Sequence, residues 1–260
     1  MMRQSTTDDS VILNFFLELD TRAIKMAQDI NLNITYSLSQ NEVHFYDRHV
    51  PHLTLYQSAF PADLSSVLKL CARSLLTSFS RTRKTNRKNR FTSIKNLLDQ
   101  CTVVLRGGTQ FSDFITWDAE ENPCLEELNR SLVIAFEKHR VKNQPIPQWV
   151  INEPNSTLRE MLTDSFSDYG YPFIAPYGTF QTGLVNSFLY ILVYGEFTFG
   201  GGRVTVGFDD TESLRYAFSQ LNFPSVTFVP VNIGMAIASP HDMIEEVDII
   251  ALQQLKKTYP

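Results

Sequence analysis

Apolar positions fall in short blocks along the chain, and the spacing within each block predicts its element. Residues 11–19 (VILNFFLEL) form an apolar, aromatic-rich run of strand length. Asp20 and Thr21 supply a cap for a helix over 22–30, where Ile24, Ala27 and Ile30 recur at helical spacing. Strands are expected at 42–46 and, more strongly, at 52–56, which Pro51 precedes and Phe60-Pro61 follows. A helix over 62–78 and an apolar stretch at 94–98 come next. Residues 101–105 (CTVVL), a turn at Gly107-Gly108 and residues 114–117 read as a hairpin. Over 125–139, apolar residues at 125, 128, 132, 133 and 136 mark one face of an amphipathic helix.

The polar, proline-containing stretch from Pro145 to Asn155 interrupts this pattern, and it places a lobe boundary near residue 145. Beyond it the pattern predicts a helix at 157–166, a strand at 188–193 and, after Gly200-Gly201-Gly202, a strand at 203–208 (RVTVGF). A helix with an acidic first turn spans 211–221, a long apolar strand region 226–238, and a last apolar segment 244–252. Strand, helix, strand and hairpin thus recur in both halves. The expected fold is α+β, one bilobal domain with lobes at 1–144 and 145–260. Each lobe is expected to be an antiparallel-rich sheet with helices outside, the two pseudo-symmetric lobes framing a central cleft. A single mixed sheet would satisfy the same pattern.

Composition adds three limits. At 260 residues and 43% hydrophobic content the chain can bury a sizeable core. No window approaches 18 uninterrupted apolar residues and the first ten residues are polar, so neither a membrane span nor a signal peptide is expected. Cys71, Cys101 and Cys124 are odd in number and widely spaced, fitting neither a disulfide framework nor a CxxC metal site, and the expected setting is the reducing cytoplasm. The net charge of -5 argues against a generally nucleic-acid-coated surface. Residues 81–90 (RTRKTNRKNR) are the exception, with six cations and no acid. That basic insertion, over 79–92, is either a solvated loop or a contact for a phosphate backbone.

The chemically informative segment is VPHLTLY. On a strand, alternate residues share a face, so His52 and Thr54 stand side by side while Leu53 and Leu55 point the other way. An imidazole beside a hydroxyl can move a proton and donate a hydrogen bond to a phosphate oxygen. Other apparent motifs carry less. The triple glycine lacks the GxxxxGK[ST] pattern and no GxGxxG is present. Asp209, Asp210 and Glu212 are explained by a helix N-terminus. No metal and no cofactor is expected.

The order of these pieces resembles the LigT-like two-histidine phosphoesterase superfamily. VILNFFLELD with its helix, FYDRHVPHLTLYQSAFP, the hairpin ending FITWDA and the helix LEELNRSL are similar to the first lobe. Tyr169-Gly170-Tyr171-Pro172, RVTVGFDD, ESLRYAF and VNIGMAIASPHDMIEEVDIIAL are similar to the second. The resemblance implies two His-x-Thr or His-x-Ser motifs facing each other across a cleft. It also implies metal-independent action on phosphodiesters, typically nucleotides or RNA ends bearing a 2',3'-cyclic phosphate. Carried across, His52 takes one acid/base role and Thr54 one phosphate contact. Tyr56 and the cations Arg83, Lys84, Arg87 and Lys88 are the further substrate-binding candidates.

The second motif departs from the family pattern. In GGRVTVGF, Thr205 matches the hydroxyl residue and Arg203 stands where the second histidine should be. A guanidinium grips a phosphate in bidentate fashion but does not cycle a proton. A weaker register places Tyr177 and Thr179 at the motif instead. Three readings follow: a phosphodiesterase of reduced or altered mechanism, a silent binder of nucleotides or RNA ends, and an interaction protein that inherited the fold.

Overall fold

The computed structural model describes residues 10–74, 98, 101–163 and 203–250, apart from short gaps within those spans. The basic insertion with Arg83, Lys84, Arg87 and Lys88, the strand expected at 188–193, the triple glycine and the Tyr177 register lie outside the described residues.

Strand β1 (Ser10–Glu18) leads to helix α1 (Thr21–Ser37), β2 (His52–Pro61) and α2 (Ser65–Ser74). The β3–β4 hairpin follows (Val103–Phe111 and Phe114–Ala119), then α3 (Pro123–Phe136) with a 3-10 turn at Glu137–His139, and the short α4 (Gln148–Ile151). After it come β5 (Arg203–Phe208), α5 (Thr211–Gln220), β6 (Val226–Phe228) and β7 (Ile233–Ile237). The fold is α+β, with two antiparallel sheets, one of order β2-β1-β7 and one of order β5-β4-β3-β6, and helices packed around them.

The two sheets share a logic of assembly. In each, a central strand (β1 or β4) precedes a helix whose N-terminus is capped by a side chain. Asp20 accepts from the Ala23 amide and Asn122 from the Cys124 amide, which satisfies donors that a helix start leaves open. A strand then returns to the sheet edge (β2 or β5). The third strand is exchanged. β3, reached from β2 through α2, pairs with β4, whereas β7, reached from β5 through α5, pairs with β1. Each sheet therefore draws strands from both sides of residue 145, and the sheets do not divide where the proline-rich stretch pointed.

Alternation decides which face of each sheet is buried. Leu13, Phe15 and Leu17 of β1, with Leu53 and Phe60 of β2, join Ile115 and Trp117 of β4 and Val204 of β5 in one continuous hydrophobic core. Ala23, Ala27, Ile30 and Ile34 of α1, and Leu125, Leu128, Leu132 and Phe136 of α3, close over it, which is the helical stripe their spacing predicts. At about 25 cal/mol per Å² of apolar surface, each fully buried leucine or phenylalanine contributes roughly 1.5–3 kcal/mol.

Three local expectations change. Residues 43–46 are not a strand. Their backbone groups are met by side chains, with Asn31 donating to the Val43 carbonyl at 2.8 Å and accepting from the Phe45 amide at 3.2 Å. Gly107-Gly108 is not the hairpin turn but an irregularity within β3, where Gly107 takes φ +70° and the register with β4 shifts between Leu105 and Gly108. The apolar run 226–238 is not one strand. Pro230 offers no amide to a ladder, and β6 joins the second sheet while β7 joins the first.

The cysteines differ most from expectation. Cys101 and Cys124 form a disulfide with Cα atoms 5.6 Å apart across 23 positions. The antiparallel pairing of Leu105 with Ala119 brings residues just before β3 close to those just after β4, a proximity that spacing alone does not reveal. Among the described residues no helix is long and apolar enough to cross a membrane.

Candidate functional site

β2 and β5, the edge strands that carry the two motifs, lie beside each other without backbone pairing. The motifs occupy equivalent places on them. In β2, Thr54 pairs with Phe16 and Tyr56 with Phe15, so Leu55 is an extra, bulged residue. In β5, Thr205 pairs with Thr116 and Gly207 with Ile115, so Val206 is the extra residue. Each hydroxyl residue thus stands one position before a bulge. Each basic residue faces an acid across the ladder, His52 opposite Glu18 and Arg203 opposite Asp118. A bulge re-aims the side chains around it, and here it falls at matching positions in RVTV and HLTL.

The bulge in β2 also overturns one site assignment. Unbroken alternation would carry Tyr56 to the face of His52 and Thr54. The extra residue reverses the parity, and Tyr56 turns into the core, where its ring stacks on Phe15 with centroids 6.0 Å apart. Burial pushes its hydroxyl up to about 12. Tyr56 is a core residue and not a substrate contact. Gln57 takes the position beside the motif, paired with Asn14. The bulge itself is supported from α3, where Asn129 donates to the Leu55 carbonyl at 2.6 Å.

His52 is 6% exposed and held on several sides. Its Nδ1 lies 2.8 Å from the Val50 carbonyl, which can only accept, so Nδ1 carries the proton and Nε2 keeps a lone pair. Burial pushes the imidazole down to about 4, against the raising effect of the Val50 carbonyl, and nearby His49 adds to the lowering. At neutral pH the ring is uncharged, in the form of a general base and not of a general acid. The Phe16 ring meets the imidazole edge-on with centroids 5.4 Å apart. Phe16 has that place because β7 offers Gly234 opposite it, where a Cβ would lie 2.2 Å from the ring. Asn14 donates to Thr54 Oγ at 3.1 Å, and its Nδ2 stands 3.4 Å from His52 Nε2.

The second motif has a different electrostatic setting. The Arg203 guanidinium, 8% exposed, forms an ion pair with Asp118, Nε to Oδ1 at 3.7 Å. Thr116 donates to Asp118 Oδ1 at 2.8 Å and Thr109 to Oδ2 at 2.6 Å, so hydroxyls fix the carboxylate from two strands. Thr205 stands beside Thr116 on the same face. The outer edge of β5 is tied down by asparagines. Asn31 of α1 donates to the Val206 carbonyl at 2.9 Å, and the Phe208 amide donates to Asn41 at 3.2 Å.

His52 with Thr54 and Arg203 with Thr205 thus lie on neighbouring strands. Asn14, Asp118, Thr109 and Thr116 escaped the reading from residues alone. A lone amide in the apolar run of β1, and the alternation of Thr116 with Asp118 in FITWDA, were the available signals. Among the described residues no cluster of His, Cys, Asp and Glu could hold a metal ion. A cavity of about 660 Å³ lined by Ile146, Ile151, Ser156, Arg159, Glu160 and Thr163 includes neither motif. No family model and no curated protein matches the chain.

Proposed function

We propose that the chain acts on or binds phosphodiesters in the manner of the two-histidine phosphoesterases it resembles, with nucleotides or RNA ends bearing a 2',3'-cyclic phosphate as the ligand class. The observation that carries this reading is the equivalence of the motifs. His-x-Thr and Arg-x-Thr each stop one residue short of a bulge, on edge strands that lie side by side. In this reading the phosphate is held by the Thr54 and Thr205 hydroxyls and by the Arg203 guanidinium. His52 Nε2, unprotonated at neutral pH, takes the proton of the attacking water or hydroxyl. Arg203 stabilises developing negative charge but gives no proton to the leaving oxygen. Turnover is accordingly slow, since losing a general acid forfeits about 10²- to 10⁴-fold.

A second reading, a catalytically silent binder on the same fold, is favoured by the Arg203–Asp118 pair. A guanidinium already paired with a carboxylate suits a fixed electrostatic contact. One experiment separates the two: hydrolysis of a short RNA ending in a 2',3'-cyclic phosphate, without metal, by the wild type and by His52→Ala. Turnover lost in the variant supports the enzyme. Binding without turnover supports the silent binder, and neither binding nor turnover overturns the ligand class.

A further inference from the structure

We infer that Asn14 is a positioning residue for the His52–Thr54 half-site, setting by its amide polarity which way both neighbours face a phosphate. The inference rests on the phosphodiester reading above and extends it to a third residue. Asn14 sits in the middle of β1, between Gln57 of β2 and Ala236 of β7, and is fully buried. Its orientation follows from its neighbours. Because His52 Nδ1 donates to the Val50 carbonyl, Nε2 presents a lone pair, and the Asn14 amide must turn its NH2 group and not its oxygen toward it. The same NH2 group donates to Thr54 Oγ. A hydroxyl that accepts a hydrogen bond from one side keeps its own proton for another, so Thr54 is left to donate away from Asn14, to a phosphate oxygen. The amide thus favours the unprotonated Nε2, whose lone pair faces Asn14 until a substrate proton replaces that contact, and it leaves Thr54 a proton donor.

This orientation has a cost that stability alone does not explain. Asn14 Oδ1 is buried and makes no hydrogen bond among the described residues. Buried acceptors in folded proteins are nearly always satisfied, and a leucine would fill the position without leaving one open. Its neighbours on the strand, Leu13 and Phe15, belong to the apolar core on the opposite face. The other titratable groups near the imidazole are Glu18, paired across the ladder, and His49, three residues before it.

The test compares wild type, Asn14→Asp and Asn14→Leu as full-length chains. Its first readout is the NMR titration of the His52 imidazole, and its second is the affinity for cytidine 2',3'-cyclic phosphate. An aspartate keeps the shape and reverses the polarity, accepting from Thr54 and favouring a proton on Nε2. The His52 midpoint is expected to rise by about 1–3 pH units in Asn14→Asp, as for any imidazole gaining an adjacent carboxylate. Affinity is expected to fall at least about tenfold in both variants, the loss of one oriented hydrogen bond to a charged group. An unchanged midpoint in a folded Asn14→Asp, or wild-type affinity in Asn14→Leu, overturns the inference while leaving the phosphodiester reading intact. A shifted midpoint in a protein whose wild type does not bind the cyclic nucleotide leaves Asn14 as the partner of His52 and overturns the phosphodiester role. Should neither variant fold, the wild-type Asn14 side-chain amide resonances decide, since they must move with the His52 midpoint and the inference fails if they do not.

Discussion

The half-site on β2 and the half-site on β5 share a backbone and differ in charge. Both present a basic residue, an apolar residue and a threonine ahead of a bulge, each with an acid across the ladder. On β2 the basic group is a buried, neutral imidazole wedged between Phe16 and an asparagine amide. On β5 it is a permanent cation whose counter-charge, Asp118, is itself fixed by Thr109 and Thr116. One backbone geometry, repeated on two strands, carries two chemistries, one able to accept a proton and one able only to hold an anion. The backbone of a site and its proton chemistry are thus separable.

The sharpest way to break the comparison is to equalise the chemistries. His52→Ala is expected to lower turnover of a cyclic-phosphate RNA by about 10²- to 10⁴-fold. Arg203→His is expected to raise it by about 10²-fold, because an imidazole beside Asp118 is held protonated and can serve as the missing acid. Single-turnover rates measure both, and no gain in Arg203→His would show that the β5 half-site does more than stand in for a histidine.

The next effect is on stability against pH. The His52 pKa lies at about 4 in the folded chain, below its ordinary 6.5, so between these values the unfolded state binds more protons. Stability from this group is full above about pH 6.5 and is lost as the pH falls toward 4, about 3 kcal/mol across the window at 1.36 kcal/mol per unit. Urea midpoints at pH 7 and pH 4.5 should converge in His52→Gln and not in the wild type.

Gly234→Ala tests the support behind His52. Its methyl would strike the Phe16 ring and push it toward the imidazole, at a cost of about 1–3 kcal/mol, with weaker nucleotide binding as well. Asn129→Ala removes the donor to the Leu55 carbonyl and leaves that bulge oxygen buried without it, at about 1–2 kcal/mol. Thermal melts rank these two, and the comparison sharpens if Asn129→Ala affects ligand affinity at His52 alone.

Much of this was legible in the residues. The strands at β1, β2 and β5, the helices α1 and α3, and the pairing of His52 with Thr54 follow from local periodicity, which the chain obeys wherever one face is buried. What failed was non-local. Tyr56 left the site because a bulge, supported by Asn129 from 74 positions away, reversed the alternation. Residues 43–46 gave up a ladder because Asn31 and Asn41 offered side-chain partners, and the Cys101–Cys124 bond depends on a hairpin register no spacing rule encodes. Arg203 stood out in the residues as a cation ahead of Thr205, but its pairing with Asp118 needed the sheet.

The exchange of third strands has a consequence for how the molecule is made. β1 is among the first described elements to leave a ribosome, yet one of its edges stays open until Ile233–Ile237 arrives more than 200 residues later. Closing so long a loop is slow, and an unpaired apolar strand is a template for association in the interval. A nascent chain stalled before residue 233 should therefore sediment with chaperones or aggregates, and the strand that completes the first sheet is also the one whose synthesis ends that exposure.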